Sequence, residues 1–123
     1  MKPRLLTALS LLVVSLAASA AGDAGRGADS FDANCAECHS VAKTLKNKKG
    51  PTLFGIVGRP SASIAGFDYS PALKAAGFAW SQEKLDAYVT APKKLVPEGK
   101  MKFDGIADAS ERADLLSFLA EQK

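Results

Sequence analysis

Residue types that build disulfide and metal sites are scarce in this sequence of 123 residues. Its two cysteines cannot form a disulfide-rich scaffold, and two cysteines with one histidine fall short of a typical zinc site. Aromatic residues make up only 7% of the chain, so the core is thin for this length and leaves room for a non-protein group. The net charge of +3 is too small to indicate nucleic-acid binding.

The composition that remains is typical of one globular domain. Apolar residues make up 47% and charged residues 24% of the chain, a balance that excludes general disorder. No segment has the alternation of apolar and polar residues that marks a half-buried strand. The sequence therefore predicts an all-α domain with few helices and long loops.

The first twenty residues follow the pattern of a secretory signal peptide. Lys2 and Arg4 form a basic start, residues 5–18 are uncharged and mostly apolar, and Ala18-Ser19-Ala20 is a cleavage signal. An uncleaved anchor helix is the alternative, although the stretch falls short of the ~20 apolar residues of a usual membrane span. We expect a signal peptide over residues 1–20 and one domain of the bacterial periplasm over residues 21–123.

Start and stop signals mark two of the expected helices. Ser81 and Asp108 are suitable N-caps, and Glu111 completes a capping box in variant form. Pro92 ends the earlier of these helices. The expected helices cover residues 23–35, 70–75, 81–91 and 109–122. The long loops, at residues 40–66 and 93–105, have the length of segments that wrap a non-protein group.

One motif carries chemistry. Cys35-Ala36-Glu37-Cys38-His39 has the C-x-x-C-H spacing of covalent haem attachment. The two thiols can add to the two haem vinyl groups, and the adjacent histidine can then bind the iron. A thioredoxin-like redox pair would need a βαβ context that the sequence lacks, and a Cys35–Cys38 disulfide would close too small a loop to stabilise much. We expect one covalent haem c.

The second axial ligand of the iron is limited by what the chain contains. His39 is the only histidine, and Met1 leaves with the signal peptide, so a thioether ligand must be Met101. A core gap-filling role for Met101 is the alternative, but its polar loop, residues 97–103, lacks helical periodicity. Ligation by histidine and methionine closes both axial positions, so the iron would exchange electrons rather than bind substrate.

These residues resemble class I cytochromes c, of the mitochondrial and bacterial cytochrome c2 kind, over most of the chain. The resemblance implies the class I cytochrome c fold and a soluble monohaem electron carrier rather than an enzyme. The matching elements are Gly27, Phe31, the C-x-x-C-H motif, Gly50-Pro51, Leu53, Gly55, Gly58-Arg59, Gly66-Phe67, Tyr69-Ser70, Trp80, Leu85, Tyr88, Pro92-Lys93-Lys94, Pro97, Lys100-Met101, Phe103, Leu115 and Phe118.

The resemblance also implies a role for each matching residue around the haem. The carbonyl of Pro51 would accept a hydrogen bond from the second ring nitrogen of His39 and so fix the imidazole. The thioether anchors would be Cys35 and Cys38, and the axial ligands would be His39 and Met101. The propionate partners would be Arg59, Tyr69 and Trp80. Tyr88 would lie near the Met101 sulfur, and Phe103 would shield the haem edge.

Two positions depart from the mitochondrial pattern. Gly99 stands where that pattern has a threonine, and Leu73 stands where it has an asparagine near a propionate. Both changes remove polar groups close to the haem, so hydrogen bonding to the propionate and to ordered water would differ.

Lysines fall into two groups that the resemblance places around the exposed haem edge. We expect them to steer transient docking onto acidic patches of membrane redox complexes. The expected donor is a bc1-type complex, and the expected acceptor is an oxidase, a reaction centre or a reductase. The first group is Lys43, Lys46, Lys48 and Lys49, and the second is Lys93, Lys94, Lys100 and Lys102.

Two other functions stay open as alternatives to a monomeric carrier. A haem enzyme or ligand sensor would need an open iron or a labile Met101, and carbon monoxide binding would reveal either. A haem-bearing subunit fixed in a larger complex would elute with that complex in gel filtration.

Overall fold

Five short helices joined by loops make up the structure, a computed structural model that describes residues 22–123. Within these residues the only extended pairing is an isolated bridge between Pro60 and Ala79, which confirms the expected all-α architecture. No helix in the described part of the chain combines the length and apolar character that a membrane span needs. The predicted signal peptide, residues 1–20, lies outside the described residues. The helices are α1 (Ala24–Asn34), α2 (Pro71–Ala76), α3 (Gln82–Thr90), α4 (Pro92–Leu95) and α5 (Ala109–Ala120).

Side-chain caps set where four of these helices begin. The predicted caps are in place: Ser81 accepts from the Lys84 N–H at 3.1 Å and Asp108 from the Glu111 N–H at 2.9 Å. Asp23 and Ser70 cap α1 and α2 in the same way. Each cap satisfies a backbone donor that the first helical turn leaves without a partner.

Two expectations about helix ends are corrected. Glu111 does not form the predicted capping box, because its carboxylate accepts from Ser30 Oγ at 2.8 Å and Asn34 Nδ2 at 3.1 Å, both on α1. Pro92 ends α3 as predicted, but it also begins α4, so the expected loop over residues 93–105 starts with helix instead. A proline at the first helical position needs no N–H partner and already has a helical φ.

The first and last helices cross at a residue without a side chain. A Cβ on Gly27 would clash with the Asp114 carbonyl and would lie 2.8 Å from the Phe118 Cβ, so only glycine allows this approach. Beside the crossing, the rings of Phe31 and Phe118 pack at a tilt of 46° with their centroids 5.4 Å apart, and Leu115 is 1% exposed. This contact joins the two ends of the described chain into one framework.

A carboxylate also holds this framework together at its edge. Asp114 accepts from the Asp23 N–H at 2.6 Å and from the Arg26 guanidinium at 2.8 and 3.2 Å. These bonds hold the pKa of the Asp114 carboxyl below its usual value. The start of α1 is therefore fixed to the side of α5.

Backbone hydrogen bonds hold the long loop after α1 against the rest of the molecule. The Gly50 N–H donates to the Cys38 carbonyl at 2.7 Å, and the Gly58 N–H donates to the Trp80 carbonyl at 2.7 Å. The Gly55 N–H donates to the Gln122 carbonyl at 2.6 Å, just beyond α5. The loop thus has a defined path without regular structure, as a segment that wraps a group requires.

Candidate functional site

The C-x-x-C-H motif forms a tight turn at the carboxyl end of α1. The Cys35 N–H, at the helix C-cap, donates to the Phe31 carbonyl at 2.8 Å. The N–H groups of Cys38 and His39 then both donate to the Cys35 carbonyl, at 3.0 and 2.8 Å. One turn therefore carries two free thiols and the imidazole.

The Cys35 thiol is not tuned for redox catalysis. Burial, with a smaller effect from the neighbouring Cys38, raises its pKa to about 11. Thiol–disulfide oxidoreductases instead lower the pKa of the attacking cysteine to obtain a thiolate near neutral pH. This difference argues against the thioredoxin-like alternative and is compatible with thiols that end as thioethers.

The imidazole of His39 is oriented by its contact with the next loop. His39 Nδ1 lies 2.7 Å from the Pro51 carbonyl oxygen, which is the contact that the resemblance implies. Because a carbonyl can only accept, Nδ1 carries the proton and Nε2 keeps its lone pair. Burial, partly opposed by the Pro51 contact, lowers the His39 pKa. A neutral imidazole with Nε2 available is the form that binds metal.

The contact of Gly50 with His39 is a feature that the sequence analysis did not predict. A Cβ at this position would clash with the His39 ring and would lie 2.8 Å from Nδ1. Gly50 therefore gives the imidazole the space next to Pro51. The sequence signal was the Gly50-Pro51 pair, which indicates a turn but does not show what the turn packs against.

Arg59 brings a cation into the interior without a carboxylate. Its guanidinium donates to the Phe54 and Thr52 carbonyls at 3.0 and 2.8 Å, and within residues 22–123 it forms no ion pair. Burial lowers the pKa of Arg59. A half-buried guanidinium with donors to spare fits an anionic group such as a propionate.

The other two predicted propionate partners are buried. Trp80 is 5% exposed, and Tyr69 packs edge-on against Phe67 with ring centroids 4.9 Å apart. The Tyr69 hydroxyl accepts from the Ile64 N–H at 3.1 Å, so its own hydrogen can still be donated. Both side chains therefore belong to the core, and Tyr69 keeps a donor for an acidic ligand.

An aromatic group continues from Trp80 toward Tyr88. The two rings lie 4.9 Å apart, and Phe78 meets Trp80 edge-on at 4.8 Å. Burial raises the pKa of the Tyr88 hydroxyl, which therefore stays protonated at neutral pH. Phe103 packs half-buried against the same core. Other half-buried apolar side chains on this core are Leu53, Val57, Leu73 and Leu95.

Met101 lies half-buried on the loop between α4 and α5. The residue before it ties this loop to the one that carries Tyr69, because Lys100 Nζ donates to the Asp68 carboxylate at 2.9 Å and to its carbonyl at 3.2 Å. The loop bond to Asp68 is a second feature that the sequence did not indicate. Iron ligation by Met101 stays a prediction from the sequence.

Four of the predicted docking lysines are engaged within the molecule. Lys49 pairs with Glu37 at 2.7 Å and Lys100 with Asp68, and the Lys48 and Lys93 ammonium groups donate to the carbonyls of Ala36 and Gly99. All four remain exposed. Over residues 22–123 no ion pair involves the other four, which are Lys43, Lys46, Lys94 and Lys102.

The donor set fits a metal held inside a cofactor better than a bare ion. In the described part of the chain, no three histidine, cysteine, aspartate or glutamate side chains are grouped to hold a metal. One neutral imidazole, two thiols on the same turn, a half-buried cation and an apolar wall are present instead. These residues fit haem, which brings its own four nitrogen ligands, apolar faces and acidic groups.

Comparison with known proteins gives one family. Residues 24–123 match the family described as Cytochrome c. "Cytochrome c 2.1" of Caenorhabditis briggsae is 46% identical over 99 residues, which cover 80% of this chain and 88% of that protein. "Cytochrome c" of Guizotia abyssinica is 43% identical over 105 residues, covering 85% and 95%. "Cytochrome c type-1" of Ascaris suum is 45% identical over 101 residues, covering 82% and 89%.

Proposed function

Because the chain belongs to the cytochrome c family, we propose that it carries single electrons between membrane redox complexes in a bacterial periplasm. The fold is that of class I cytochromes c, and the protein is an electron carrier with one covalent haem c rather than an enzyme. The observation that carries the site assignment is the 2.7 Å contact between His39 Nδ1 and the Pro51 carbonyl. It leaves Nε2 available on an imidazole that belongs to the same turn as the two thiols.

Haem bound here supplies an iron that alternates between the ferric and ferrous states by one electron. Cys35 and Cys38 would hold its edge as thioethers, and His39 and Met101 would bind the iron. Pro51 orients the imidazole and increases its donation, and a thioether ligand favours ferrous iron.

The remaining site residues bind acidic groups and exclude water. Arg59, Tyr69 and Trp80 would donate hydrogen bonds to the propionates, since a guanidinium, a phenol and an indole each carry a donor. Tyr88 and Phe103 would complete an apolar wall beside Met101. A closed, dry site lowers the solvent rearrangement that each electron transfer demands, and it keeps other ligands from the iron.

Export is proposed from the leader sequence alone. Residues 1–20 have the basic start, apolar stretch and Ala18-Ser19-Ala20 signal of a secreted precursor. The relatives named above come from nematodes and a plant, so they do not bear on a periplasmic location. Mass spectrometry of the protein from a bacterial periplasmic extract tests this proposal, and a mature chain that begins at Ala21 is expected. A chain that keeps residues 1–20 would favour the anchor alternative.

The proposed donor is a bc1-type complex, and the proposed acceptor is an oxidase, a reaction centre or a reductase. Eight exposed lysines support this proposal, because they would complement acidic docking faces on these partners: four follow α1, and four lie in α4 and the loop after it. Reduction by a purified bc1-type complex should slow steeply as ionic strength rises, because salt screens exposed charges. A rate that does not change with salt would remove electrostatic docking, and elution as a stable complex in gel filtration would favour the fixed-subunit alternative.

Absorption spectra of the exported protein test the carrier assignment most directly. We expect a covalent c-type haem, the weak red band of methionine bound to ferric iron, and no change when carbon monoxide is added to the reduced form. A Met101→Ala variant should lose the red band and bind carbon monoxide. A wild-type protein that binds carbon monoxide readily would favour the haem enzyme or sensor instead.

A further inference from the structure

Leu45 is an exposed apolar side chain in a strained backbone conformation. It is 51% exposed, and no other large hydrophobic side chain in residues 22–123 is as exposed. Its φ of 55° lies in the left-handed region, which leucine rarely adopts and which glycine or asparagine would occupy at lower cost. Strain of this kind, kept together with an exposed apolar side chain, points to a function for the side chain.

The loop around Leu45 is fixed at its base. Lys49 pairs with Glu37 at 2.7 Å, and Lys48 donates to the Ala36 carbonyl, so both lysines hold the loop to the C-x-x-C-H turn. Asn47 Oδ1 accepts from the Thr52 N–H at 2.9 Å on the other side. These contacts link the base of the loop to the haem-binding turn and to the segment after Pro51.

The tip itself presents Leu45 between two cations. The Leu45 N–H donates to the Ala42 carbonyl at 3.0 Å, which closes the turn. Lys43 and Lys46 on either side are exposed, and neither forms an ion pair with another described residue. The lysines that hold the base are engaged, whereas the lysines beside Leu45 are free to meet a partner.

The tip also borders the functional site. Ala42 and Lys46 line a surface cavity of about 510 Å³ whose wall includes His39. A protein that covers the tip would therefore approach the haem-binding turn from the side of the first lysine group. Redox proteins typically meet in such small and short-lived complexes.

We propose that Leu45 is the apolar anchor of the docking surface for a redox protein, a partner whose docking face has an apolar depression surrounded by carboxylates. The proposal rests on the proposed electron-carrier function and adds a residue that decides affinity. Lys43 and Lys46 supply the charge complementarity, and Leu45 supplies the desolvated centre that interfaces use to hold a partner.

The test is reduction of the haem-loaded protein by a purified bc1-type complex at moderate ionic strength. Leu45→Gly should raise KM about five- to tenfold, as loss of a central apolar contact does, with kcat unchanged. It should keep the wild-type slope of rate against ionic strength and the wild-type visible spectrum. Leu45→Ala removes most of the side chain but keeps a non-glycine residue in the left-handed conformation, and it should raise KM to a similar extent.

A matched control separates the side chain from the backbone. Among residues 22–123, Ala62 is the other non-glycine residue with a positive φ, 52°. Ala62→Gly relieves the same kind of strain elsewhere and should leave KM unchanged. Both glycine variants should resist denaturant at least as well as the wild type, because glycine adopts this backbone more readily. An equal rise in KM for Ala62→Gly would overturn the proposal.

Charge variants distinguish this proposal from the general function. Lys43→Gln with Lys46→Gln should raise KM and flatten the dependence on ionic strength. If these lysine changes weaken docking but Leu45→Gly does not, the anchor is wrong and the electron-carrier function stands. If the wild-type protein accepts no electron from the bc1-type complex, the proposed donor fails instead.

A membrane surface is the competing occupant. Vesicles of phosphatidylcholine and phosphatidylglycerol in a 4:1 ratio test it by sedimentation with the same variants. Loss of vesicle binding in Leu45→Gly, with unchanged bc1 kinetics, would assign Leu45 to lipid and overturn the proposal. Equal and weak vesicle binding by wild type and variant is the result expected here.

Discussion

The helical framework and the loop-built site of this protein are held together in different ways. At the crossing of α1 and α5, the backbones meet directly at Gly27, two phenylalanine rings pack against each other, and Asp114 fixes the start of α1. Around His39 the chain forms loops that individual backbone hydrogen bonds hold in place, beside a wall of half-buried apolar side chains. The framework is closed by protein alone, whereas the loops are arranged around a cofactor.

This difference divides the roles of the residues. Changes in the framework should lower stability while the spectrum of the loaded protein stays the same. Changes in the loops should alter the ligands of the iron with smaller effects on stability. Paired variants in the two regions can confirm or break this division.

The largest loss of stability is expected at the helix crossing. In Gly27→Ala the new methyl group would meet the Asp114 carbonyl, which cannot move without displacing α5. We expect the free energy of unfolding to fall by about 3 kcal/mol in guanidinium titrations, the upper end of what an overpacked core usually costs. Gly25→Ala on the same helix is the control, since its Cβ would meet only Asp23 Oδ1 at 3.1 Å. Equal losses in both variants would mean that the crossing is not the critical contact.

The second variant changes a residue of the loop-built site rather than of the helical framework. In Gly50→Ala the methyl group would push the His39 ring away from the Pro51 carbonyl. We expect unfolding to become easier by about 1–3 kcal/mol, and the absorption spectrum and reduction potential to change as well. Gly27→Ala should leave both of these properties as they are in the wild type. A normal spectrum and potential in Gly50→Ala would show that the imidazole tolerates displacement.

Acid titration sharpens the comparison within the framework. The bonds from Arg26 and the Asp23 N–H lower the pKa of Asp114 in the folded state, so they stabilise the fold above the unfolded pKa of about 3.9. This contribution is lost as the pH falls through the lower, folded value. Asp114→Asn should therefore be less stable at pH 7, and its stability should depend less on pH below about 4.

Fluorescence-monitored unfolding across pH 2–7 measures this effect. Some slope should remain in Asp114→Asn, because the pKa values of Glu37 and Asp68 are also lowered, by Lys49 and Lys100. Asp32→Asn, on the exposed face of α1, is the control and should unfold as the wild type does. Parallel curves for Asp114→Asn and wild type would contradict a role for this carboxylate in acid stability.

The smallest effect is expected at the bond between the two site loops. Asp68→Asn removes the charge that holds Lys100 but keeps the Asp68 carbonyl as an acceptor. Exposed ion pairs contribute little to stability, so the unfolding midpoint should hardly change. If Met101 is the iron ligand proposed above, the rate at which added imidazole replaces it should rise about two- to fivefold, the size of a weak surface pair. An unchanged rate would mean that the bond does not restrain the Met101 loop.

Local signals in the sequence predicted most of the framework. Asp108 and Ser81 are followed by apolar residues at helical spacing, so the helix starts were visible without any tertiary information. The error at Glu111 has a tertiary cause, because Ser30 and Asn34 on α1 compete for its carboxylate. The short α4 was not predicted, because Pro92 was interpreted only as the end of α3, although proline is also favoured at the first position of a helix.

The site was predictable where chemistry limits the residue types. One histidine beside two spaced cysteines leaves few interpretations, and the resemblance added the Pro51 contact that the structure contains. Gly50 against the imidazole and Asp68 with Lys100 could not be predicted in this way. Both contacts depend on how two loops meet in space, and no periodicity in a sequence records such a meeting.

The crossing of α1 and α5 also sets the order in which the chain can fold. A ribosome makes α1 first and α5 last, so the Phe31 face of α1 has no partner until nearly the whole chain has been made. Until then the C-x-x-C-H turn, which directly follows α1, has no completed framework beside it, and its two thiols stay accessible. A synthesis arrested just before α5 should therefore yield a protease-sensitive chain.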